Sequence, residues 1–201
     1  MPELWQHLVD QFACDTDPVH GIAGHGSIEA SDVFRKLIDA SGPRWIEVQT
    51  NDALLSNMLH EFAVDHASHT ILFADGATTT LAAPAGAVVR RVTEADRFRM
   101  FGHTAEPVGE WGIESEGEIV ATGGLLFHYN PPYGDIFMEV APAHRRKGIG
   151  RYLVQELKRI AYEVGHTPAA RCREDNVASR RTLERAGMFP CGRIVRGRVA
   201  R

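Results

Sequence analysis

A strand–helix–strand unit in the second half of the chain constrains the fold more than any other feature of the sequence. The apolar run Asp135–Val140 predicts a strand, the amphipathic stretch Gly148–Val164 predicts a long helix, and Ala169–Arg173 predicts a second strand. Two strands of one sheet that are joined through a helix lie parallel, and the crossover is right-handed. The fold must therefore contain at least one parallel strand pair covered by the long helix.

The elements around this unit predict a mixed, mostly antiparallel sheet flanked by helices, which is an α/β fold of the α+β type. The predicted strands are 87–91, 109–114, 118–128 and 191–199, and the predicted helices are 93–101 and 177–186. The pair Gly123-Gly124 inside one predicted strand suggests a β-bulge, because glycine weakens a regular strand.

The first part of the chain predicts a separate helical and α/β extension. Helices are predicted at 2–12, 28–40 and 51–62, and strands at 45–48, 70–74 and 78–82, the last two joined by Asp75-Gly76. The segment Ala83-Pro84-Ala85-Gly86 predicts a boundary between an extension over 1–86 and a domain over 87–201. So small a unit has too little core to stand alone, so we expect it to pack on the following domain.

The amino-acid composition limits which binding partners and which cellular compartment are expected. The net charge of −4 gives no reason to expect nucleic-acid binding. Three cysteines form no disulfide framework, which favours a reducing cytoplasm, and they lack zinc-ligand spacing, so no metal is expected. The N-terminus has neither a basic leader nor a long apolar run, so we expect no signal peptide and no membrane span. Self-association into a homodimer is left open.

The start of the long helix is the segment that carries chemistry. Arg145, Arg146 and Lys147 precede Gly148, and cations at a helix N-terminus oppose the helix dipole. Neither Ser, Thr, Asp nor Asn stands just before the helix to accept from its first N–H groups. A bound phosphate would satisfy both the amides and the cations, and glycine lets it approach the backbone closely. The alternative is a plain basic loop with a glycine turn.

Two familiar phosphate-binding loops are excluded by the residues themselves. A P-loop requires Gly-Lys followed by Ser or Thr, but Lys147 precedes Gly148-Ile149. The dinucleotide-binding pattern requires a third glycine where Leu153 stands.

The wider context resembles the GNAT superfamily of N-acetyltransferases. The resemblance rests on four features in the family's order: a strand ending in Val140-Ala141-Pro142, the loop Arg145-x-x-Gly148-x-Gly150, Asn176 before a helix, and Gly187-Met188-Phe189. It covers Ala87–Val199, and residues 1–86 lie outside it. Met188 is a small departure, since the family often has phenylalanine directly after this glycine. The resemblance implies binding of acetyl-coenzyme A and direct transfer of its acetyl group to an amine acceptor.

By similarity, the cofactor-binding residues fall into three groups. The backbone amides of 146–151 hold the pyrophosphate, the backbone of the strand before the loop pairs with the pantetheine arm, and the start of the following helix reaches the cofactor. Asn176 is equally suited to capping that helix. The residues implied are Met138, Val140, Arg145, Arg146, Lys147, Gly148, Ile149, Gly150, Arg151, Asn176, Ser179 and Arg180.

The family's usual position for the catalytic base carries no titratable group in this chain. Strand alternation puts Gly134 and Ile136 on the face of Met138, and neither side chain titrates. Asp135 and Glu139 fall on the other face unless a bulge changes the phase of the strand. The candidate bases are therefore Glu139, Asp135, His128 and Tyr129.

The usual acid is also missing. Many family members carry a tyrosine seven residues after the asparagine, where this chain has Leu183. The thiolate of coenzyme A leaves unaided, or Tyr129 or Cys172 protonates it. These departures keep a second hypothesis open, a non-catalytic acyl-coenzyme A sensor or regulatory module.

Overall fold

The computed structural model describes residues 45–51, 56–57, 59–60, 63, 67–97, 109–127 and 131–200. The helices predicted at 2–12 and 28–40, most of the helix predicted at 51–62, the second half of the helix predicted at 93–101, and the candidate bases His128 and Tyr129 lie outside the described residues.

Eight strands and three α-helices make up the described fold, and they confirm the predicted α/β class. The strands are hydrogen-bonded in the order β1-β8-β2-β7-β6-β5-β4-β3. In chain order the elements are β1 (Trp45–Thr50), β2 (Ser68–Asp75), β3 (Val88–Arg91), α1 (Glu94–Arg97), β4 (Trp111–Ser115), β5 (Glu118–Leu126), β6 (Tyr133–Val140), a 3₁₀ turn (Pro142–His144), α2 (Ile149–Glu163), β7 (Thr167–Arg173), α3 (Val177–Arg185) and β8 (Met188–Ala200).

The predicted strand–helix–strand unit is confirmed. Strands β3, β4, β5 and β6 pair antiparallel with their neighbours, whereas β6 and β7 pair in parallel and are joined through α2. The inner face of α2 is buried as its period predicts, with one exception: Val164 is 54% exposed because the helix has ended before it. The buried apolar residues of α2 are Ile149, Leu153, Val154, Leu157, Ile160 and Ala161.

The glycine pair in β5 forms no bulge, contrary to the prediction. Gly123 and Gly124 pair in regular register with β6, and the register shift between β4 and β5 lies instead between Ile113 and Glu114. The glycines are required by close approach. A Cβ on Gly124 would come within 2.9 Å of the Phe137 ring. A Cβ on Gly123 would be 2.7 Å from the Phe137 carbonyl oxygen.

The strand predicted at 78–82 does not form, because its backbone binds α2 instead of a second strand. Residues 76–84 have no regular secondary structure. The carbonyl of Ala77 accepts a hydrogen bond from Lys158 Nζ at 2.7 Å. The amide of Leu81 donates to Gln155 Oε1 at 2.6 Å, and Gln155 Nε2 donates back to the Leu81 carbonyl at 3.2 Å. Side chains of α2 thus replace the strand partner that a hairpin would have supplied.

The chain divides into two compact units by its internal contacts. One comprises Leu72–Cys172 with Asn176–Cys191, and the other comprises the described residues up to Ile71, Arg173–Asp175 and those from Gly192 onward. Within the latter, β1 pairs antiparallel with the end of β8, from Trp45↔Ala200 to Thr50↔Val195. The domain boundary predicted after Gly86 stays a prediction. No helix in the described ranges combines the length and hydrophobicity needed to cross a bilayer.

Candidate functional site

Strands β6 and β7 separate part of the way along their length. Their parallel pairing runs from Tyr133↔Thr167 to Ile136↔Ala170 and extends no further among the described residues. Beyond that pair, β6 continues to Val140 alongside β5 alone. We call the opening between Phe137–Val140 and Arg171–Cys172 the fork.

The backbone of β6 directs hydrogen-bonding groups into the fork. The amide of Ala141 donates to the Val120 carbonyl of β5 at 2.9 Å, so Ala141 faces β5. Successive residues of a strand point their N–H and C=O groups to alternate sides, which directs those of Val140 and Met138 toward β7. The Val140 carbonyl accepts from Arg145 Nε at 3.0 Å. The Met138 amide and carbonyl thus point into the fork, like the backbone groups of an exposed edge strand.

The loop after β6 places left-handed residues directly before α2. Arg146 has φ 62° and Gly148 has φ 83°. Gly148 is the N-cap of α2, and no side chain caps the helix. The first turn also contains no acidic residue. Alternating left-handed residues bring successive N–H groups together into an anion-binding concavity, and the first N–H groups of α2 extend it.

Four cations surround this concavity. Arg145, Arg146, Lys147 and Arg151 are all exposed. In the described part of the chain none of them is in an ion pair. Arg151 folds back over the helix start, since a Cβ on Gly148 would lie 3.3 Å from its Nε. The combination of bare amides and clustered cations fits an anion with several charges.

Gly150 brings the helix start against the end of β6. A Cβ at this position would lie 3.3 Å from Val140 Cγ2, 3.5 Å from Met138 Cε and 3.3 Å from Thr182 Cγ2 of α3. The side chains of Met138 and Val140 therefore face α2. The loop, the end of β6 and helix α3 meet at this glycine, as the sequence-predicted grouping of cofactor residues requires.

Asn176 caps α3. Its Oδ1 accepts from the Ser179 amide at 3.0 Å, so the capping role that the sequence left open is present. Ser179 and Arg180 are half-buried in the first turns of α3, and Arg180 Nε lies 3.9 Å from Glu184 Oε1. Contact of these three residues with a cofactor stays a prediction.

The candidate bases of β6 lie on the sheet face opposite α2. The register of β6 against β5 is continuous from Asp135 to Val140, so no bulge changes the phase of the strand. The carboxylate of Asp135 lies 2.9 Å from Arg171 Nε. Glu139 is half-buried and pairs across β5 with Thr122, which is fully buried. Both carboxylates stay candidates for the base.

Of the candidates for the acid, Tyr129 lies outside the described residues, whereas Cys172 is described and buried, as is Leu183 at the family's usual position for the acid. Leu183 is 4% exposed and packs in the core, so its position offers no proton donor. Cys172 is 9% exposed, and burial raises the pKa of its thiol. The thiol therefore stays protonated at neutral pH, which argues against a role as nucleophile.

Arg171 was not among the predicted site residues, although the sequence carries a signal for it. In parallel strands, residues two positions apart lie on one face, and Arg171 follows Ala169, the partner of Asp135, by two. The opposite charges of Asp135 and Arg171 are the signal, but it can be recognised only when the pairing register of the two strands is known. The sequence alone does not fix that register.

Comparison with known proteins identifies the family. The Acetyltransferase (GNAT) family matches residues 77–188. A GNAT-family acetyltransferase from Colwellia psychrerythraea aligns with a TM-score of 0.62 and 18% identity, covering 86% of this chain and 73% of its own. A GCN5-related N-acetyltransferase from Kribbella flavida aligns with a TM-score of 0.63 and 20% identity, covering 92% and 79%.

A putative GNAT-family acetyltransferase from Novosphingobium aromaticivorans aligns with a TM-score of 0.56 and 15% identity, covering 78% of this chain and 74% of its own. At these identities the structures establish a shared fold. The comparison with curated proteins finds no relative. The match over residues 77–188 spans more than half of the chain, and it confirms the resemblance seen in the sequence. The protein belongs to the GNAT family of acetyltransferases.

Proposed function

We propose that this protein transfers the acetyl group of acetyl-coenzyme A to an amine. Membership of the family implies acyl transfer from an acyl-coenzyme A, and the proposal adds the acetyl group and the amine. The observation that carries it is the start of α2, where no side chain caps the helix and four cations that form no ion pair with any described residue lie near its amides.

The site fits the acyl donor in two places. The amides of 146–151, with the cations of the loop, would hold the pyrophosphate, and Gly148 puts no side chain in its way. Gly150 lets the helix start pack against the end of β6. The pantetheine arm would lie in the fork and hydrogen-bond to the backbone of Met138 and Val140 like an added strand. Asn176, Ser179 and Arg180 are positioned on the adjoining helix α3.

The reaction would be direct attack by the amine on the thioester carbon. The nitrogen lone pair forms the C–N bond, the C–S bond breaks, and coenzyme A leaves as the thiolate. The surplus proton of the amine passes to a base, directly or through water. The Met138 amide faces the fork, where it would donate to the developing oxyanion. The described candidates for the base are Glu139 and Asp135, whose side chains both lie on the face of the sheet opposite α2.

The test is release of free thiol from acetyl-coenzyme A over a panel of small amines, amino acids and peptides, with the acetylated product identified by mass spectrometry. Turnover on at least one amine is expected. Tight binding without turnover on any amine would instead identify a sensor, which the buried Leu183 at the acid position favours as the second candidate.

A pair of variants tests the donor site itself. Gly150→Asp adds a carboxylate at the start of α2, whose amides are proposed to hold the pyrophosphate, whereas Gly150→Ala brings the same close Cβ contacts without charge. We expect Gly150→Asp to abolish acetyl-coenzyme A binding and Gly150→Ala to weaken it less. Equal affinity of wild type and Gly150→Asp in calorimetry would disprove the phosphate assignment.

Location and assembly are further parts of the proposal. We expect a cytoplasmic protein, because an odd number of cysteines argues against a disulfide framework and the two described ones, Cys172 and Cys191, are free thiols. The partners expected are acetyl-coenzyme A and the amine acceptor, without nucleic acid or membrane. Gel filtration with light scattering would decide between a monomer and a homodimer.

A further inference from the structure

The ion pair between Arg171 and Asp135 lies at the point where the fork begins. The last parallel pair is Ile136↔Ala170, so Asp135 stands one residue before it in β6 and Arg171 one residue after it in β7. Arg171 Nε lies 2.9 Å from Asp135 Oδ2. The Arg171 side chain therefore points back over the paired part of the strands, away from the open part of the fork.

This pair is partly shielded from water. The side chains of Arg171 and Asp135 are 28% and 16% exposed. By contrast, Arg173 and Asp175 form a pair at 2.6 Å in which both side chains are 67% exposed. Attraction between opposite charges increases as water is excluded. The Arg171–Asp135 pair is therefore able to fix geometry that a surface pair would not.

The geometry that needs fixing is the point along the strands at which β6 and β7 part. Neighbouring strands lie about 4.8 Å apart, so a chain lying between two strands requires roughly twice that separation. Parallel pairing would close the opening if it continued past Ile136↔Ala170.

We infer that Arg171 and Asp135 are positioning residues, which clamp β6 to β7 where their pairing ends and so fix the point at which the fork begins for the pantetheine arm. The inference rests on the proposed function, because it assumes that the acyl donor lies in the fork. It gives Asp135 a role through Arg171 in donor binding, in place of a role as base.

The experiment separates the two halves of the donor. Coenzyme A contains the pantetheine arm, whereas adenosine 3′-phosphate 5′-diphosphate is its nucleotide half and does not reach the fork. Calorimetry measures the dissociation constants of both with wild type and Asp135→Asn. We expect Asp135→Asn to weaken coenzyme A about tenfold, the size of a typical coupling between neighbouring groups, and to leave the nucleotide half unchanged.

Rescue distinguishes positioning from general damage to the fold. The double variant Asp135→Arg, Arg171→Asp restores an ion pair with the charges exchanged, and we expect it to recover much of the coenzyme A affinity. Arg171→Lys keeps the charge on a shorter reach and should give an intermediate loss even if Asp135→Asn folds poorly. Asp175→Asn, which breaks the exposed pair at the end of β7, is the matched control and should bind as wild type does.

Four results would overturn the inference. Unchanged coenzyme A affinity in a folded Asp135→Asn would show that the pair does not set the fork. Equal weakening of coenzyme A and the nucleotide half would place the effect elsewhere. A loss of turnover number at unchanged affinity would make Asp135 a base instead. Failure of wild type to bind either ligand would refute the donor site itself, and the inference with it.

Discussion

Gly148 and Gly165 occupy opposite ends of α2 with almost the same backbone geometry. Their φ angles are 83° and 81°. A Cβ on Gly165 would meet nothing within 4 Å, whereas one on Gly148 would lie 3.3 Å from Arg151 Nε. Left-handed backbone is unfavourable for any residue with a Cβ, so both positions favour glycine for the same local reason. Only Gly148 also adjoins the proposed anion site.

The two glycines therefore make a matched pair of variants. We expect Gly148→Ala and Gly165→Ala each to lower the free energy of unfolding by about 1–2 kcal/mol, measured by urea denaturation. Gly148→Ala should also weaken acetyl-coenzyme A binding, because the methyl group displaces Arg151 from the helix start. Gly165→Ala should bind as wild type does. If the two variants bound acetyl-coenzyme A with equal affinity, Gly148 would not be part of the donor site.

At the scale of single residues, the sequence predicts what depends on local backbone chemistry. Residue types at fixed offsets predict that α2 has no capping side chain and that Asn176 caps α3. The structure shows both features. The burial of Lys158 was not predictable, because a lysine on a helix is normally exposed. It is 4% exposed here, because Asp75 and the Ala77 carbonyl bind its ammonium group. These partners are far from Lys158 in the sequence, so the sequence alone does not reveal them.

Lys158 holds together three elements of its unit. Its Nζ lies 2.6 Å from Asp75 Oδ1 at the end of β2, 2.7 Å from the Ala77 carbonyl and 2.9 Å from the Ala186 carbonyl after α3. Tyr162 of the same helix donates to Asp75 Oδ2 at 3.0 Å. The ammonium thus donates to two backbone carbonyls and is neutralised by the Asp75 carboxylate.

We expect Lys158→Met to lower the free energy of unfolding by about 3–5 kcal/mol, because it leaves the Asp75 carboxylate buried without its cation. Limited proteolysis should then cut within residues 76–84, whose contacts with α2 are weakened. The double variant Lys158→Met, Asp75→Asn should be more stable than Lys158→Met alone in urea denaturation. A double variant that is less stable than the single one would show that the ion pair is not the source of the loss.

A second network connects β3, α1 and β4. Arg90 forms bonds from two nitrogens to Asp96, at 2.7 and 2.8 Å, and its Nε also bonds to Glu114. Asp96 further accepts from the amide and hydroxyl of Thr93, both at 2.7 Å, which caps α1. The Arg90 guanidinium, followed by the Thr93 hydrogen bonds, holds the pKa of the Asp96 carboxyl below its ordinary value.

This network predicts loss of stability in acid. The pKa of an aspartate in the unfolded chain is about 3.9, and that of Asp96 is lower in the native state, so the native state binds fewer protons. The contribution of Asp96 is complete above the unfolded value and is lost as the pH falls toward the native one. Asp96→Asn should be less stable than wild type at pH 7, and the difference should shrink below a pH of about 4.

Urea denaturation as a function of pH measures this difference. Glu94→Gln is the control on the same helix, because the Glu94 side chain is 83% exposed and its pair with Arg97 contributes little. A difference between Asp96→Asn and wild type that stays constant down to pH 2 would contradict the role given to Asp96.

At the scale of elements, the sequence predicts those whose apolar period is sustained. Strand β6, helix α2 and strand β7 form as predicted, within two residues at each end. The strand predicted at 78–82 failed because its period is short and Gln155 of α2 supplies the backbone partners. The Gly123-Gly124 prediction failed because glycine signals either a bulge or a close approach, and only tertiary structure decides between them.

At the scale of the whole molecule, net charge and local charge point in opposite directions. The chain carries a net charge of −4, which would repel an anionic ligand at long range. The cations Arg145, Arg146, Lys147 and Arg151 nonetheless gather at one helix start. Screening shortens the reach of exposed charges to about 8–10 Å at physiological salt, so the local cluster governs binding there. Sequence composition alone predicts the former property and not the latter.

Two charge reversals of equal size separate the local cluster from the net charge. Lys147→Glu acts in the loop, and Arg193→Glu acts on β8, where the Arg193 side chain is 65% exposed and 3.1 Å from Glu174. Both change the net charge by the same amount, so a long-range effect would weaken acetyl-coenzyme A binding equally in both variants. We expect Lys147→Glu to weaken this binding strongly and Arg193→Glu to leave it nearly unchanged.

Thermal unfolding and calorimetry at two salt concentrations measure the outcome. Acetyl-coenzyme A at a hundred times its dissociation constant should stabilise wild type by about 2.7 kcal/mol, and the same concentration should stabilise Arg193→Glu by a similar amount and Lys147→Glu by much less. Raising the salt should weaken binding by wild type more than by Lys147→Glu, because fewer favourable charges remain to be screened in the variant. Equal salt dependence in the two proteins would mean that the loop cations do not contact the donor's phosphates, and the anion site would have to lie elsewhere in the chain.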